Sequence, residues 1–131
     1  METKMIWANL VSHDLQKTIE FYTGLGFKKN GHETAELVSF SVAENNFVIN
    51  FFLPKRFENA IKGKITDAKT ENEIIFSLSA NSVEEVDKWY EKVKQLGGTI
   101  FCEPEKFEIG YTFGFADPDG HKFNFLYWPG M

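Results

Sequence analysis

Few residues in this sequence combine side-chain types and spacings that could support catalysis or metal binding. The three histidines lie at the start of a predicted helix (His13), in a polar loop (His32) and in a predicted turn (His121). A metal centre needs imidazole, thiolate or carboxylate groups that converge on one point. No paired spacing brings these histidines together, so each is predicted to be a surface or supporting residue. Cys102 is the single cysteine, so an intramolecular disulfide is excluded. We interpret Cys102 as a strand residue that packs as a small hydrophobic side chain.

The carboxylates that could act in proton transfer lie in segments that resemble loops. Glu103 and Glu105 flank Pro104, and Glu108 precedes a glycine-containing turn. An isomerase or lyase that works by proton transfer needs a base whose pKa lies near neutrality. No isolated carboxylate or histidine in an apolar strand meets that requirement. Catalytic groups often lie on loops, so an enzyme remains an alternative with no assigned catalytic residue.

The elements that would position a site form two halves with the same plan. In the first half, Asp14 is a suitable N-cap for a helix and Gly26 follows its end. In the second half, Ser82 and Glu85 form a capping box before a helix that ends at Gly97. The predicted strands are 5–11, 35–42 and 46–53 in the first half, and 74–80, 99–101, 111–116 and 122–128 in the second.

Two hairpins are predicted from turn residues. The loop at 43–46 contains asparagines, which tolerate left-handed turns. In the turn at 117–120 (DPDG), the proline sets the first turn residue and Gly120 takes a positive φ. The intervening segment 55–73 mixes charges of both signs and is predicted to be a solvated connector. The chain is therefore predicted to be one domain, 1–131, with modules at 5–54 and 74–128.

Composition limits the classes of function. The chain has 131 residues, 43% hydrophobic and 25% charged, as expected for one globular domain. Aromatic residues reach 16%, enough both to build a core and to line a pocket. The net charge of −5 argues against nucleic acid as a partner. No apolar run approaches membrane-spanning length, and no signal peptide is evident, so a cytoplasmic protein with no membrane partner is expected.

The sequence resembles a known superfamily along nearly its whole length. The segments 9–15 (NLVSHDL), 21–27 (FYTGLGF) and 114–121 (GFADPDGH) are similar, in order and separation, to motifs of the vicinal oxygen chelate superfamily. This is the glyoxalase, bleomycin-resistance and extradiol dioxygenase group. The resemblance implies an α+β fold of two βαβββ modules, whose curled mixed sheets surround a cleft. It also implies a homodimer, which would cover the edges and apolar faces of the sheets.

The same resemblance identifies four metal-ligand positions, and this sequence departs from the family at each of them. Metal-using members commonly place His, Gln or Glu there and bind a divalent ion that polarises the substrate. Here the positions hold Trp7, Asn50, an apolar residue within 74–76, and Asn124. Indole and alkyl groups have no ligand atom, and neutral carboxamides are weak ligands for transition metals. We therefore expect no metal and no other cofactor.

A ligand-binding site is predicted from the resemblance and from strand alternation together. The family places its functional glutamate at position 124, so that face of the strand is expected to line the cleft, and period-two alternation adds its neighbours. The predicted ligand-binding residues are Trp7, Asn9, Asn50, Phe52, Asn124 and Trp128. Two indoles, a phenyl ring and three amides suit an apolar, planar ligand with neutral polar edges. Trp7 in the core and Trp128 at a dimer interface are the structural alternatives.

Three functions remain in competition at this stage. The favoured one is a metal-free small-molecule binding protein that sequesters its ligand. The second is a lyase or isomerase, or a dioxygenase-like enzyme, that uses the same cleft with a non-standard site. The third is a protein-binding module whose cleft is filled by Phe and Trp side chains. A ligand-dependent rise in melting temperature would distinguish a binding protein from a filled module.

Overall fold

The computed structural model describes residues 1–44 and 46–130, which form two compact units, Met1–Thr66 and Asp67–Met131. The first unit contains β1 (Trp7–Val11), α1 (Leu15–Gly24), β2 (Lys28–Lys29), β3 (Leu37–Val42), β4 (Phe47–Phe52) and α2 (Pro54–Ile61). The second contains β5 (Ile75–Ser79), α3 (Val83–Gln95), β6 (Thr99–Phe107), β7 (Gly110–Ala116) and β8 (Lys122–Tyr127).

Both units build a four-stranded mixed sheet with the same strand order. The orders are β1-β4-β3-β2 and β5-β8-β7-β6, so the first strand of each unit pairs in parallel with its last strand. The remaining pairs are antiparallel. The prediction of an α+β fold with two βαβββ modules is confirmed. No helix in the described part of the chain is long and apolar enough to cross a membrane.

In the first unit, α1 covers one face of the sheet. The Asp14 carboxylate accepts a hydrogen bond from the Lys17 backbone N–H at 3.1 Å, which confirms the predicted N-cap. Tyr22 is fully buried, with its ring centroid 5.7 Å from that of Phe40 and 4.7 Å from that of Phe51. The side chains that alternate with these two phenylalanines therefore point to the opposite face, called the uncovered face here because α1 does not lie on it.

In the second unit, α3 covers the corresponding face. Ser82 Oγ accepts a hydrogen bond from the Glu85 N–H at 3.0 Å, and the Glu85 carboxylate accepts one from the Asn81 N–H. The predicted capping interaction is thus present. Trp89 stacks on Phe125 with the ring centroids 4.4 Å apart and the planes 6° apart. This contact assigns Phe125 to the covered face and leaves Asn124 on the other.

The turn before β8 depends on one aspartate. Asp117 Oδ1 accepts hydrogen bonds from the backbone N–H groups of Asp119 and His121, each at 2.9 Å. The Gly120 N–H donates to the Asp117 carbonyl at 3.0 Å, and Gly120 has φ +95°. The predicted positive φ at this glycine is therefore confirmed.

The loop between β3 and β4 has left-handed residues at positions that its residue types do not indicate. Ala43 and Glu44 take this conformation, with φ of 53° and 55°, and Asn45 lies outside the described residues. For the asparagines, the left-handed conformation stays a prediction. Pairing of Val42 with Phe47 fixes the loop at residues 43–46, so the position in the turn outweighs residue preference.

The segment predicted as a connector contains α2. Pro54 stands in the first turn, where its missing N–H costs nothing, and Lys62 ends the helix in the left-handed conformation at φ 54°. The mixed charges of this segment had suggested a solvated linker, and they obscured a helix whose start is marked by the proline. Only the remainder of the segment lacks a helix or strand.

Candidate functional site

Four of the predicted ligand-binding residues share the uncovered face of the first sheet. Trp7 and Asn9 lie on β1, and Asn50 and Phe52 lie on the adjacent β4, with Asn9 directly opposite Asn50. Asn50 Nδ2 donates a hydrogen bond to Asn9 Oδ1 at 2.9 Å. Trp7 is 54% exposed, so the core alternative for this residue is wrong. The sheet therefore presents an accessible indole beside a hydrogen-bonded pair of amides.

Phe52 is covered by side chains that the sequence analysis did not include in the site. The Phe57 ring of α2 lies 6.5 Å from it, centroid to centroid. The Arg56 guanidinium carbon lies 5.5 Å from the Phe52 ring centroid, a cation–π distance. Arg56 also makes an ion pair with Glu36 at 3.6 Å. A positive charge therefore stands at one end of this face, on the helix that was taken for a linker.

In the second unit, Asn124 occupies the centre of the uncovered face. It pairs with Ser77 of β5 on one side and with Gly114 of β7 on the other. Its Oδ1 atom is buried and has no hydrogen-bond partner among residues 1–44 and 46–130. A buried carbonyl oxygen without a donor costs roughly 1–3 kcal/mol, so such an atom calls for an explanation.

The Phe101 ring lies beside Asn124 because β7 has a glycine at the neighbouring position. A Cβ atom at Gly114 would come within 2.4 Å of the Phe101 Cζ, so only glycine admits the ring there. The Lys122 ammonium stands 4.8 Å from the same ring centroid. Phe101 is 43% exposed, which gives the Asn124 face an accessible aromatic surface.

Asn50 and Asn124 hold equivalent positions in the two modules, but their side-chain amides differ in hydrogen bonding. Each lies on the last strand of its module, between the first strand and the preceding strand. Asn50 lies opposite Asn9 on β1 and donates a hydrogen bond to it. Asn124 lies opposite Ser77 on β5, and its Oδ1 has no hydrogen-bond donor among the described residues. The two modules thus share a plan, and within residues 1–44 and 46–130 the buried acceptor that lacks a donor is Oδ1 of Asn124.

Trp128 is not brought beside Asn124. Four residues of strand separate them, about 13 Å. The Trp128 ring packs instead on the end of the β6–β7 hairpin, 6.2 Å from the Phe107 ring centroid. A Cβ at Gly110 would meet its Cε3 at 2.9 Å. These contacts give Trp128 a structural role at the hairpin, and its predicted ligand contact stays a prediction.

The histidines and the cysteine do not form a reaction centre in the structure. His13 and His32 are exposed, and His121 is half-buried in the turn after Gly120. Among residues 1–44 and 46–130, no group of three or more His, Cys, Asp or Glu side chains could hold a metal ion. Cys102 Sγ donates a hydrogen bond to Glu105 Oε1 at 3.3 Å. Burial, followed by this carboxylate, raises the pKa of the Cys102 thiol.

Cys102 is expected to react slowly with thiol reagents, because a raised pKa keeps the thiol protonated at neutral pH. Iodoacetamide alkylation at pH 8, followed by mass spectrometry, should be slower than for free cysteine. Glu105→Gln removes the carboxylate and should accelerate it, whereas Glu108→Gln, at an exposed turn, should not. Equal rates in the wild-type protein and the Glu105→Gln variant would contradict the assigned role of Glu105.

Comparison with known proteins identifies the family. The sequence profile of the Glyoxalase/Bleomycin resistance protein/Dioxygenase superfamily matches residues 4–125. The chain belongs to this superfamily. No curated protein matches the chain.

Several solved structures share the fold of this chain. The hypothetical protein SA1046 from S. aureus is 34% identical, with a TM-score of 0.87 over 98% of this chain and 96% of that one. A glyoxalase-related enzyme from Fulvimarina pelagi is 19% identical, with a TM-score of 0.85 over 97% and 90%. Lactoylglutathione lyase from Agrobacterium tumefaciens is 16% identical, with a TM-score of 0.72 over 99% and 98%. At the two lower identities, the likeness concerns the fold alone.

The residues at the superfamily's four metal positions do not fit a metal ion in this chain. The indole of Trp7 donates a hydrogen bond and offers no ligand lone pair, and the apolar side chains within 74–76 offer none. Asn50 donates to Asn9 through its amide nitrogen, so only neutral amide oxygens remain at the other two positions. Neutral carboxamides are weak ligands for transition metals.

Proposed function

We propose that this superfamily member binds a small, largely apolar and planar organic molecule without a metal. The observation that carries the proposal is the buried, unpartnered Oδ1 of Asn124. A ligand N–H or O–H placed against this oxygen would satisfy it, and the binding energy would include recovery of an existing desolvation cost. Asn124 is thus the acceptor that orients the ligand.

Accessible aromatic surfaces support the apolar part of the proposal. Phe101 lies beside Asn124 and is 43% exposed, and in the first unit Trp7 is 54% exposed beside the amide pair of Asn9 and Asn50. Rings of this kind bind planar molecules by stacking, and a few amides fix the orientation. A cytoplasmic, homodimeric binding protein that sequesters its ligand is the form of the proposal that the sequence favours.

In the described part of the chain, the groups whose pKa is raised do not supply a base for the lyase or isomerase alternative. A hydrogen bond to Glu103 raises the pKa of Tyr90 to about 12, and a hydrogen bond to Asp87 raises the pKa of Tyr111. The pKa of Cys102 is raised as well. Groups shifted in this direction stay protonated at neutral pH, which is unsuitable for a general base. Binding is accordingly the better-supported function.

A thermal-shift screen of neutral planar compounds tests the proposal. We expect a ligand to raise the melting temperature by mass action, equally with and without a chelator. Asn124→Ala should weaken binding by roughly 1–3 kcal/mol, because the hydrogen bond to the ligand is lost. Asn81→Ala, at an exposed asparagine outside both faces, is the matched control.

Three results would refute the proposal. The first is the absence of any stabilising ligand in the screen. The second is a thermal shift that disappears when metal is removed. The third is a ligand that binds folded Asn124→Ala as tightly as the wild-type protein.

A further inference from the structure

The only arginine of the chain lies at the candidate site. Of the 14 lysine and arginine residues, Arg56 alone is an arginine. Its guanidinium carbon lies over the ring of Phe52, which shares a sheet face with Asn50. Arginine differs from lysine in presenting a planar fork of donors that matches a carboxylate in two parallel hydrogen bonds.

We propose that Arg56 binds the carboxylate of an acidic planar ligand whose body lies on the face formed by Trp7, Asn9 and Asn50. The inference rests on the proposed binding function and concerns the sheet face of the first unit, for which it names the class of ligand: an aromatic or heteroaromatic carboxylate. Recognition by Arg56 would give the acid an advantage over its neutral amide counterpart. The strand residues alone predict a ligand with neutral polar edges. Arg56 of α2 adds a positive charge, which favours a ligand with a carboxylate.

The spacing allows one small molecule to reach both groups. Asn50 and Phe52 are two residues apart on the same face of β4, about 7 Å along the strand. The guanidinium carbon lies 5.5 Å from the Phe52 ring centroid, at that end of the face. A bicyclic aromatic body spans a similar length, so its carboxylate can meet Arg56 while its plane lies beside the amides.

Arg56 and Phe57 of α2 both contact the Phe52 ring. Phe57, on the same helix as Arg56, packs on the Phe52 ring at 6.5 Å. A guanidinium that contacts a ring through a cation–π interaction keeps its N–H donors available for a carboxylate. Phe52 therefore serves as a support for the cation, and its own contact with the ligand is limited by the α2 side chains that cover it.

The existing partner of Arg56 is weak enough to be displaced. The Glu36 carboxylate is 3.6 Å from one guanidinium nitrogen, beyond hydrogen-bond distance, and the two side chains are 50% and 56% exposed. Exposed pairs of this kind contribute little, because water screens them. A ligand carboxylate that binds in two parallel hydrogen bonds would replace one distant contact with two close ones.

The local charge is needed because the rest of the chain opposes an anion. The net charge of −5 creates a field that repels acidic molecules. An acidic ligand therefore depends on a cation at the site itself. This dependence makes Arg56 a specificity-determining residue, whose loss should change the preference between acid and amide more than the affinity for the ring system.

Matched pairs of ligands test the inference directly. The probes are benzoate, 2-naphthoate and indole-3-carboxylate, each compared with its carboxamide by isothermal titration calorimetry. In the wild-type protein, at least one acid should bind roughly tenfold more tightly than its amide. Arg56→Gln should remove this preference, because it weakens binding of the acid much more than binding of the amide, and Arg56→Lys should be intermediate.

Two further variants separate a contact from a general charge effect. Lys55→Gln removes the same charge from the neighbouring helix position, and it should retain most of the preference for the acid. Glu36→Gln removes the competing carboxylate, and it should tighten binding of the acid. This gain cannot result from poor folding. Circular dichroism spectra should show that all variants remain folded.

The outcomes distinguish the inference from the function on which it rests. If amides bind but acids gain nothing, or if Arg56→Gln and Lys55→Gln lose the preference equally, the inference is wrong and the binding function stands. If neither acids nor amides bind, the inference is wrong for this ligand class, and the neutral-compound screen decides the binding function independently.

Discussion

Gly120→Ala should lower the free energy of unfolding by about 3 kcal/mol. Part of this loss is backbone strain, since φ is +95° and an L-residue pays roughly 1–2 kcal/mol there. The rest is steric: a Cβ atom would lie 2.6 Å from both the Ala68 carbonyl carbon and the Lys69 nitrogen. These are backbone atoms that cannot rotate away, and Asn72 Nδ2 fixes them further by donating to the carbonyls of Ala68 and Gly120, each at 3.0 Å.

Gly97→Ala is the matched control for this prediction. Gly97 lies in the same unit with φ +80°, and a Cβ there would meet nothing within 4 Å. It should cost only the strain component, about 1 kcal/mol. Urea denaturation followed by circular dichroism measures both. Equal losses in the two variants would show that the contact with residues 68–69 contributes nothing.

The Gly120 turn shows which structural features can be predicted from neighbouring residues alone and which cannot. The prediction of a turn with positive φ needed only residues 117–120, because proline and glycine fix backbone angles locally. The packing of Ala68 and Lys69 against that glycine joins segments about 50 residues apart, as the 48-residue separation of the Asn72–Gly120 hydrogen bond shows. No local pattern encodes such a contact, so its energetic consequence became apparent only in the structure.

In the first unit, the amino-acid composition of one segment led to a wrong interpretation of its structure. The charges of segment 55–73 suggested a solvated linker, although Pro54 carries a helix-start signal that could have revealed α2. Missing this helix meant missing Arg56, because its position over Phe52 follows from the helix packing on β4. Likewise, the left-handed pair Ala43 and Glu44 follows from strand register and not from residue preference.

The candidate site was predictable in its faces but not in its pairings. Period-two alternation correctly placed Trp7 with Asn9 and Asn50 with Phe52, because side chains alternate along any strand. Alternation does not predict which side-chain amide forms a hydrogen bond. The difference in hydrogen bonding between Asn50 and Asn124 depends on the residue opposite each of them on the first strand of its module. This residue is Asn9 in the first module and Ser77 in the second. That pairing is a tertiary property.

Asn124→Leu should stabilise the ligand-free protein and abolish ligand binding. The unpaired Oδ1 carries a desolvation cost in the native state, and a side chain of similar size without polar atoms removes it. The free energy of unfolding is expected to rise by about 1–2 kcal/mol. Retention of a residue that lowers stability is typical of functional sites, where activity and stability compete. Urea denaturation and a thermal-shift titration with the screened ligand measure the two effects on the same protein.

Asn50→Leu is the control, because it changes the equivalent position of the other module. Asn50 Nδ2 donates to Asn9 Oδ1, so its loss removes a satisfied hydrogen bond and should bring no gain in stability. A stability rise in both variants would mean that leucine is simply favoured on these strands, as β-propensity allows. A fall in stability for Asn124→Leu would mean that the Asn124 side chain is already satisfied, which would remove the observation that supports ligand binding at this face.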